Sequence, residues 1–176
     1  MSRVATIVEN LPFRPYETKI RIPGAEAEET VLHRQIIVWV TFTKPDQLEL
    51  PLAPLRFPAV LDPVFNESFL LTRRQLRAWA RMEEKDLPAA DVPNLRVYDR
   101  IVSPRCANLW LHRNEPYERD DLFDDPYPLE IDAGVIISPD EQRPRLPLLG
   151  LRAIESSSLR VTIDGATQLV SIDSVE

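Results

Sequence analysis

The chain has 176 residues, 44 % apolar and 28 % charged, with a formal net charge of −7; this length suits one domain whose core needs no disulfide or metal staple. Its 17 prolines and 4 glycines lie between apolar, β-branched stretches, which excludes a helical bundle, a collagen-like chain and a disordered tail. The acidic balance argues against nucleic-acid binding, which rests on neutralising phosphates, and no apolar run nears the ~20 residues of a membrane span, the longest clear one being Ile36–Val40.

Residues 1–30 are polar and irregular, broken by Pro12, Pro15 and Pro23, with short strands expected at Val4–Val8 and Thr18–Ile22. The start has no long apolar core and no cleavage site, so no secretory leader is expected. Gln35–Thr43 is the strongest strand, β-branched and aromatic, and Pro45-Asp46 supplies a turn after it. Leu48–Leu52 is a short apolar piece, and Pro51, Pro54 and Pro58 limit any strand near it. Ala59-Val60-Leu61 runs straight into Asp62.

Phe69–Leu71 is a further strand, followed by Thr72 as an N-cap and by the one clear helix, Arg73–Glu84. Leu76, Trp79 and Ala80 share its apolar face, while Arg73, Arg77 and Arg81 line another. Strands are expected at Leu95–Tyr98, Ala107–His112 and Leu129–Ser138. Pro147–Gly150 precedes a short helical turn at Leu151–Ser156. Leu159–Ile163 and Gln168–Ile172 then form a hairpin joined by Asp164-Gly165. Many short strands with one medium and one short helix read as a mainly β barrel or sandwich.

Several kinds of chemistry are missing. The four glycines are too scattered for a phosphate loop. His33 and His112 have no motif tying them to a nucleophile, and the lone Cys106 reads as a small apolar residue. One cysteine excludes an internal disulfide and a Cys-rich zinc site and fits a reducing cytoplasm. The acidic run Glu115–Glu141 lacks calcium-loop spacing and its turn glycine, so it reads as a solvated loop, and no metal or other cofactor is expected. Asn66-Glu67-Ser68 matches a glycosylation acceptor by chance. The basic face of Arg73, Arg74, Arg77 and Arg81 offers a docking surface for an acidic partner, or a solvated face balanced by nearby acids.

Two segments form a pattern. The first is Phe57-Pro58-Ala59-Val60-Leu61-Asp62, followed by Asn66 and Ser68-Phe69-Leu70-Leu71. The second is Leu146-Pro147-Leu148-Leu149-Gly150-Leu151-Arg152-Ala153-Ile154 with Leu159–Gly165 after it. Together they resemble the retropepsin-like aspartic proteases, in which an apolar strand delivers an Asp-Thr/Ser-Gly loop and a later apolar-apolar-Gly segment starts a short helix beneath it. The resemblance implies a closed barrel of the acid-protease type over residues 17–176, with residues 1–16 as an N-terminal arm. An unrelated β-sandwich would hold the two segments apart.

The resemblance also implies a homodimer acting on polypeptide, with Asp62 of each chain as the catalytic pair. Two carboxylates that close cannot both ionise, so one serves as base toward water and the other as acid toward the peptide carbonyl. Here the motif reads Asp62-Pro63-Val64. Pro63 has neither hydroxyl nor N–H, and Val64 cannot adopt a glycine-only conformation without strain. The family's flap usually has glycines at its tip, and none occurs between Gly24 and Gly134. Peptide hydrolysis is therefore expected to be impaired or lost, and a non-catalytic protein-binding module on the same scaffold is the alternative. In that alternative Asp62 is a turn residue before Pro63.

Overall fold

Residues 4–23, 28–113 and 125–175 are described by a computed structural model. Fourteen strands and two helices follow in chain order: β1 Val4–Pro12, β2 Thr18–Arg21, β3 Glu28–Val31, β4 Ile37–Thr43, β5 Phe57–Asp62, β6 Phe69–Thr72, α1 Arg73–Trp79, β7 Leu95–Val97, β8 Arg100–Val102, β9 Asn108–Leu111, β10 Tyr127–Leu129, β11 Val135–Ser138, β12 Leu148–Gly150, α2 Leu151–Ser156, β13 Leu159–Asp164 and β14 Leu169–Val175. Strand takes 44 % and helix 10 % of the described residues, which are mainly β as the sequence pattern suggests.

The main sheet has seven strands in the order β10-β9-β4-β5-β12-β6-β11. Every residue of β4 is buried, as its unbroken apolar and β-branched run requires of a central strand. Pro58 sits inside β5 opposite Trp39. The Val60 N–H turns to the Pro147 carbonyl at 2.8 Å while the Leu61 N–H turns to Ile36. Pro58, two residues before Val60, therefore lacks its N–H on the β12 side, where the ladder begins only at Val60.

A closed barrel, expected from the sequence, is not what forms. The sheet is a curled half-barrel, open rather than closed. Its end strands β10 and β11 are not paired with one another. β10 is three residues long and carries Pro128, which cannot donate to a further neighbour. The outer side of β11 is met by an isolated bridge between Val135 and Arg105.

A second sheet has the order β1-β14-β13, and β2-β3 and β7-β8 are separate hairpins. Residues 4–12 of the N-terminal arm thus form a strand along β14. Ile7, Val8, Leu11, Val170 and Ile172 from this sheet join Val38, Val40, Phe57, Leu71 and Leu149 of the main sheet in one apolar core. Phe42 packs edge-on against Phe57, with ring centres 5.6 Å apart, and against Phe69 at 5.1 Å.

Several local expectations shift. The helix ends at Trp79 rather than Glu84 because Arg81 turns left-handed (φ 53°) and the Met82 N–H reaches back to the Leu76 carbonyl. Leu129–Ser138 splits into β10 and β11 around Gly134, whose φ of 74° and N–H bond to Ile131 make a turn. Leu48–Leu52 forms no strand, while β3 and β8 form where none was expected. The hairpin between β13 and β14 uses four loop residues, since Asp164 pairs with Leu169, and Asp164 Oδ1 accepts from the Ala166 and Thr167 amides. Asp120-Asp121 and Asp124 of the acidic run lie outside the described residues.

Candidate functional site

The bend after Leu61 and the glycine near the C-terminus are neighbours. β12 runs parallel to β5 with Leu148 opposite Val60, Leu149 opposite Leu61 and Gly150 opposite Asp62. The loop from Pro63 to Ser68 then folds over the junction between β12 and α2. Gly150 N–H donates to the Ser68 carbonyl at 3.0 Å and Leu151 N–H to the Phe65 carbonyl at 2.8 Å.

Gly150 is required by proximity. Its backbone is extended (φ −99°, ψ 176°), a conformation open to any residue. A Cβ there, however, would stand 2.0 Å from the Glu67 carbonyl oxygen, 2.5 Å from that of Phe65 and 2.6 Å from the Phe65 ring. Two carbonyls pressed on the same atom leave no room for a methyl group. The motif Leu148-Leu149-Gly150 is thus spelled by burial on β12 and by contact at its end.

Asp62 is half-buried at the end of β5. Its Oδ1 accepts the Val64 N–H at 3.0 Å and its carbonyl accepts the Phe65 N–H at 3.2 Å. This is an Asx-type turn, in which the side chain caps its own loop. Pro63 and Val64 are exposed, and Val64 is 83 % exposed. Leu151, on the other side of the junction, is 45 % exposed. One chain presents one such carboxylate at this bend.

Beyond the loop, Arg152 stands 3.7 Å from Glu67 Oε2 and 3.6 Å from Asp132 Oδ1. Glu67 Oε2 receives no hydrogen bond, so the Arg152 contact is a charge pairing without a directed bond. An open cleft of about 600 Å³ adjoins this group, lined by Asn66, Asp132, Leu151, Arg152, Glu155 and Ser156. Asp62 does not line it.

Other sequence candidates sit elsewhere. His112 is buried with Nε2 2.7 Å from Thr41 Oγ1, and His33 is exposed. Cys106 is half-buried, its thiol 3.7 Å from the Ala89 carbonyl. Two of the four arginines of the basic helix face are paired: Arg73 Nε bonds Glu84 at 2.6 Å and Arg77 bonds Glu83 through two nitrogens. Arg105 completes the Glu84 pairing at 2.9 Å. These internal pairings leave Arg73 and Arg77 with acids of their own chain.

The sequence missed Gln75. It is buried, closes the capping box with Thr72, and its Nε2 donates to the Pro144 and Arg145 carbonyls at 3.1 and 2.9 Å. Gln75 thereby ties the start of α1 to the segment that leads into β12 and Gly150. The only signal was Gln three residues after Thr72, a capping-box spacing.

Among the described residues no group of three or more His, Cys, Asp or Glu side chains is placed to hold a metal ion. None of their helices is long and apolar enough to cross a membrane. Comparison with models of known families, with curated proteins and with solved structures gives no match.

Proposed function

We propose that this chain is a retropepsin-like aspartic-peptidase-fold protein, working as a homodimer, in which peptide hydrolysis is impaired or lost. The observation that carries this reading is Gly150, paired with Asp62 across parallel strands and wedged against the Phe65 and Glu67 carbonyls. An apolar strand ending in a carboxylate, beside an apolar-apolar-glycine strand that opens a short helix, is the arrangement the resemblance calls for. The acid-protease barrel type and a reducing cytoplasm belong to the same reading.

In a homodimer the Asp62 carboxylates from two chains form the acid/base pair on a bound polypeptide. Their like charges favour a shared proton, so one activates water while the other protonates the scissile carbonyl. The impairment comes from the loop. Pro63 has no group to tie one loop to its partner, and the Val64 amide is spent on its own chain's Asp62. The test is cleavage of an unfolded protein at mildly acid pH by the native chain and by Asp62→Asn. Activity that disappears with Asp62→Asn supports a residual aspartic endopeptidase, and equal cleavage by both removes Asp62 from the mechanism.

A second reading, a non-catalytic protein-binding module, is favoured by Val64 and Leu151, which expose apolar surface on both sides of the Asp62 bend. The double change Pro63→Thr with Val64→Gly separates the two. Gained cleavage marks a disabled peptidase; a folded, inactive dimer marks a scaffold rebuilt for binding.

A further inference from the structure

The three-stranded sheet ends in two unlike edges. The β1 edge is broken: its pairing with β14 shifts register between Thr6 and Val8 and again before Leu11, Asn10 is left-handed (φ 56°), and the strand closes on Pro12. Bulges and proline are the devices by which sheet edges avoid other chains. The β13 edge has none of them. It pairs with β14 over six residues without a register shift and contains no proline and no lysine. Among the described residues nothing is hydrogen-bonded to its outer side.

The direction of its free groups follows from the ladder. Val175 N–H donates to the Ser158 carbonyl at 3.0 Å, so residues 158, 160, 162 and 164 turn their amides and carbonyls toward β14. Val161 and Ile163 turn theirs outward. The sequence of this edge, Arg160-Val161-Thr162-Ile163-Asp164, is self-complementary about its centre. Laid antiparallel on a second copy with Thr162 facing Thr162, it sets Arg160 opposite Asp164 twice and Val161 opposite Ile163 twice. The outward groups of Val161 and Ile163 then fall in hydrogen-bonded positions. Shifting the centre to Val161 would oppose Arg160 to Thr162 and lose both charge pairs.

We propose that β13 is a self-association edge, pairing antiparallel with β13 of a second copy about a two-fold axis at Thr162 to make one six-stranded sheet. Opposite charges and β-branched pairs directly across a ladder are stabilising, and like charges there are destabilising. The apolar pairs extend the face on which Val161 already packs against the core and cover Ile163, which is 53 % exposed in one chain. Arg160, Thr162 and Asp164 lie on the exposed face. Arg160 also faces Asp173 within its own sheet, so each guanidinium would sit between two carboxylates. The occupant is a second copy rather than a foreign strand because the charges match only in the self-paired register.

The inference rests on the free edge and stands apart from any use of Asp62. Its test uses the full chain in analytical ultracentrifugation. The native protein should sediment at twice its 20.2 kDa mass, or at four times that mass where the Asp62 pairing of the proposed homodimer joins two β13 pairs. Thr162→Lys and Thr162→Glu each place like charges across the axis and should raise the dimer dissociation constant about tenfold or more. Mixing the two variants in equal amounts should restore the dimer, because Lys then faces Glu. Circular dichroism checks that each variant folds. Val161→Pro, which removes an outward donor and spares the β14 ladder, should also lose the β13 association, halving the sedimenting mass. A native chain that stays monomeric at about 100 µM, a Thr162→Lys variant that reaches the same mass as the native chain, or a mixture that fails to regain that mass overturns the proposal. Loss of peptidase activity by Asp62→Asn, or its absence throughout, leaves these outcomes unchanged.

Discussion

An ideal Cβ on Gly150 would lie 2.0 Å from one backbone carbonyl oxygen and 2.5 Å from another, and neither oxygen is at the end of a flexible side chain. Gly150→Ala should therefore displace the Pro63–Ser68 loop and break the bonds to the Ser68 and Phe65 carbonyls, at a cost of about 3 kcal/mol. Urea denaturation checks it, and a midpoint equal to that of the native chain would show that the loop moves aside freely. The sequence pointed to Gly150 and Asp62 as a pair, because an apolar run ending in Asp and a later apolar run ending in Gly are legible as spellings. It could not show that the Asp62 carboxylate closes on the Val64 amide, a bond made by local backbone angles.

At the scale of the element, α1 shows how charge and capping act together. Thr72 as N-cap was legible from its place before a periodic apolar pattern, and the structure adds Gln75 as the reciprocal cap. The helix was read too long because the apolar face continues past Trp79, whereas the left-handed turn at Arg81 sends the chain elsewhere. That turn leads to Glu83 and Glu84, which pair with Arg77 and Arg73. Burial pushes the Glu84 carboxyl pKa up, but hydrogen bonds and charge from Arg73 and Arg105 outweigh it and leave the pKa below the ordinary value. A carboxyl whose folded pKa is depressed stabilises the fold above its unfolded pKa, and that contribution fades as pH falls through the folded one. Glu84→Gln should thus cost about 1 kcal/mol at pH 7, and the gap should close below about pH 4. Thermal melts at the two pH values decide it; a gap that persists in acid would assign the loss to packing.

For the whole molecule, the two sheets share one core through β1 and β14. The polar, proline-broken start reads in sequence as an arm, yet Ile7, Val8 and Leu11 are buried. Deleting residues 1–12 should destabilise the fold by about 4 kcal/mol or more, the worth of three buried aliphatic side chains. It would also bare the inner strand β14 as a new edge, so reduced solubility should accompany the lower melting temperature. A deletion that melts like the native chain would make the arm dispensable.

By itself the sequence determined the mainly β class, the strong strand that became β4, the start of α1, the short helix after Gly150 and the pairing of Asp62 with Gly150 as a pattern. These follow from local pattern: β-branched runs, caps, prolines and apolar stretches act over a few residues. Only the tertiary structure decided that the main sheet stays open, that the arm completes a second sheet, and that Gly150 is fixed by two carbonyls rather than by its own backbone angles. Those features depend on which distant segments meet, and a strand's sequence records what it buries more plainly than which neighbour it bonds.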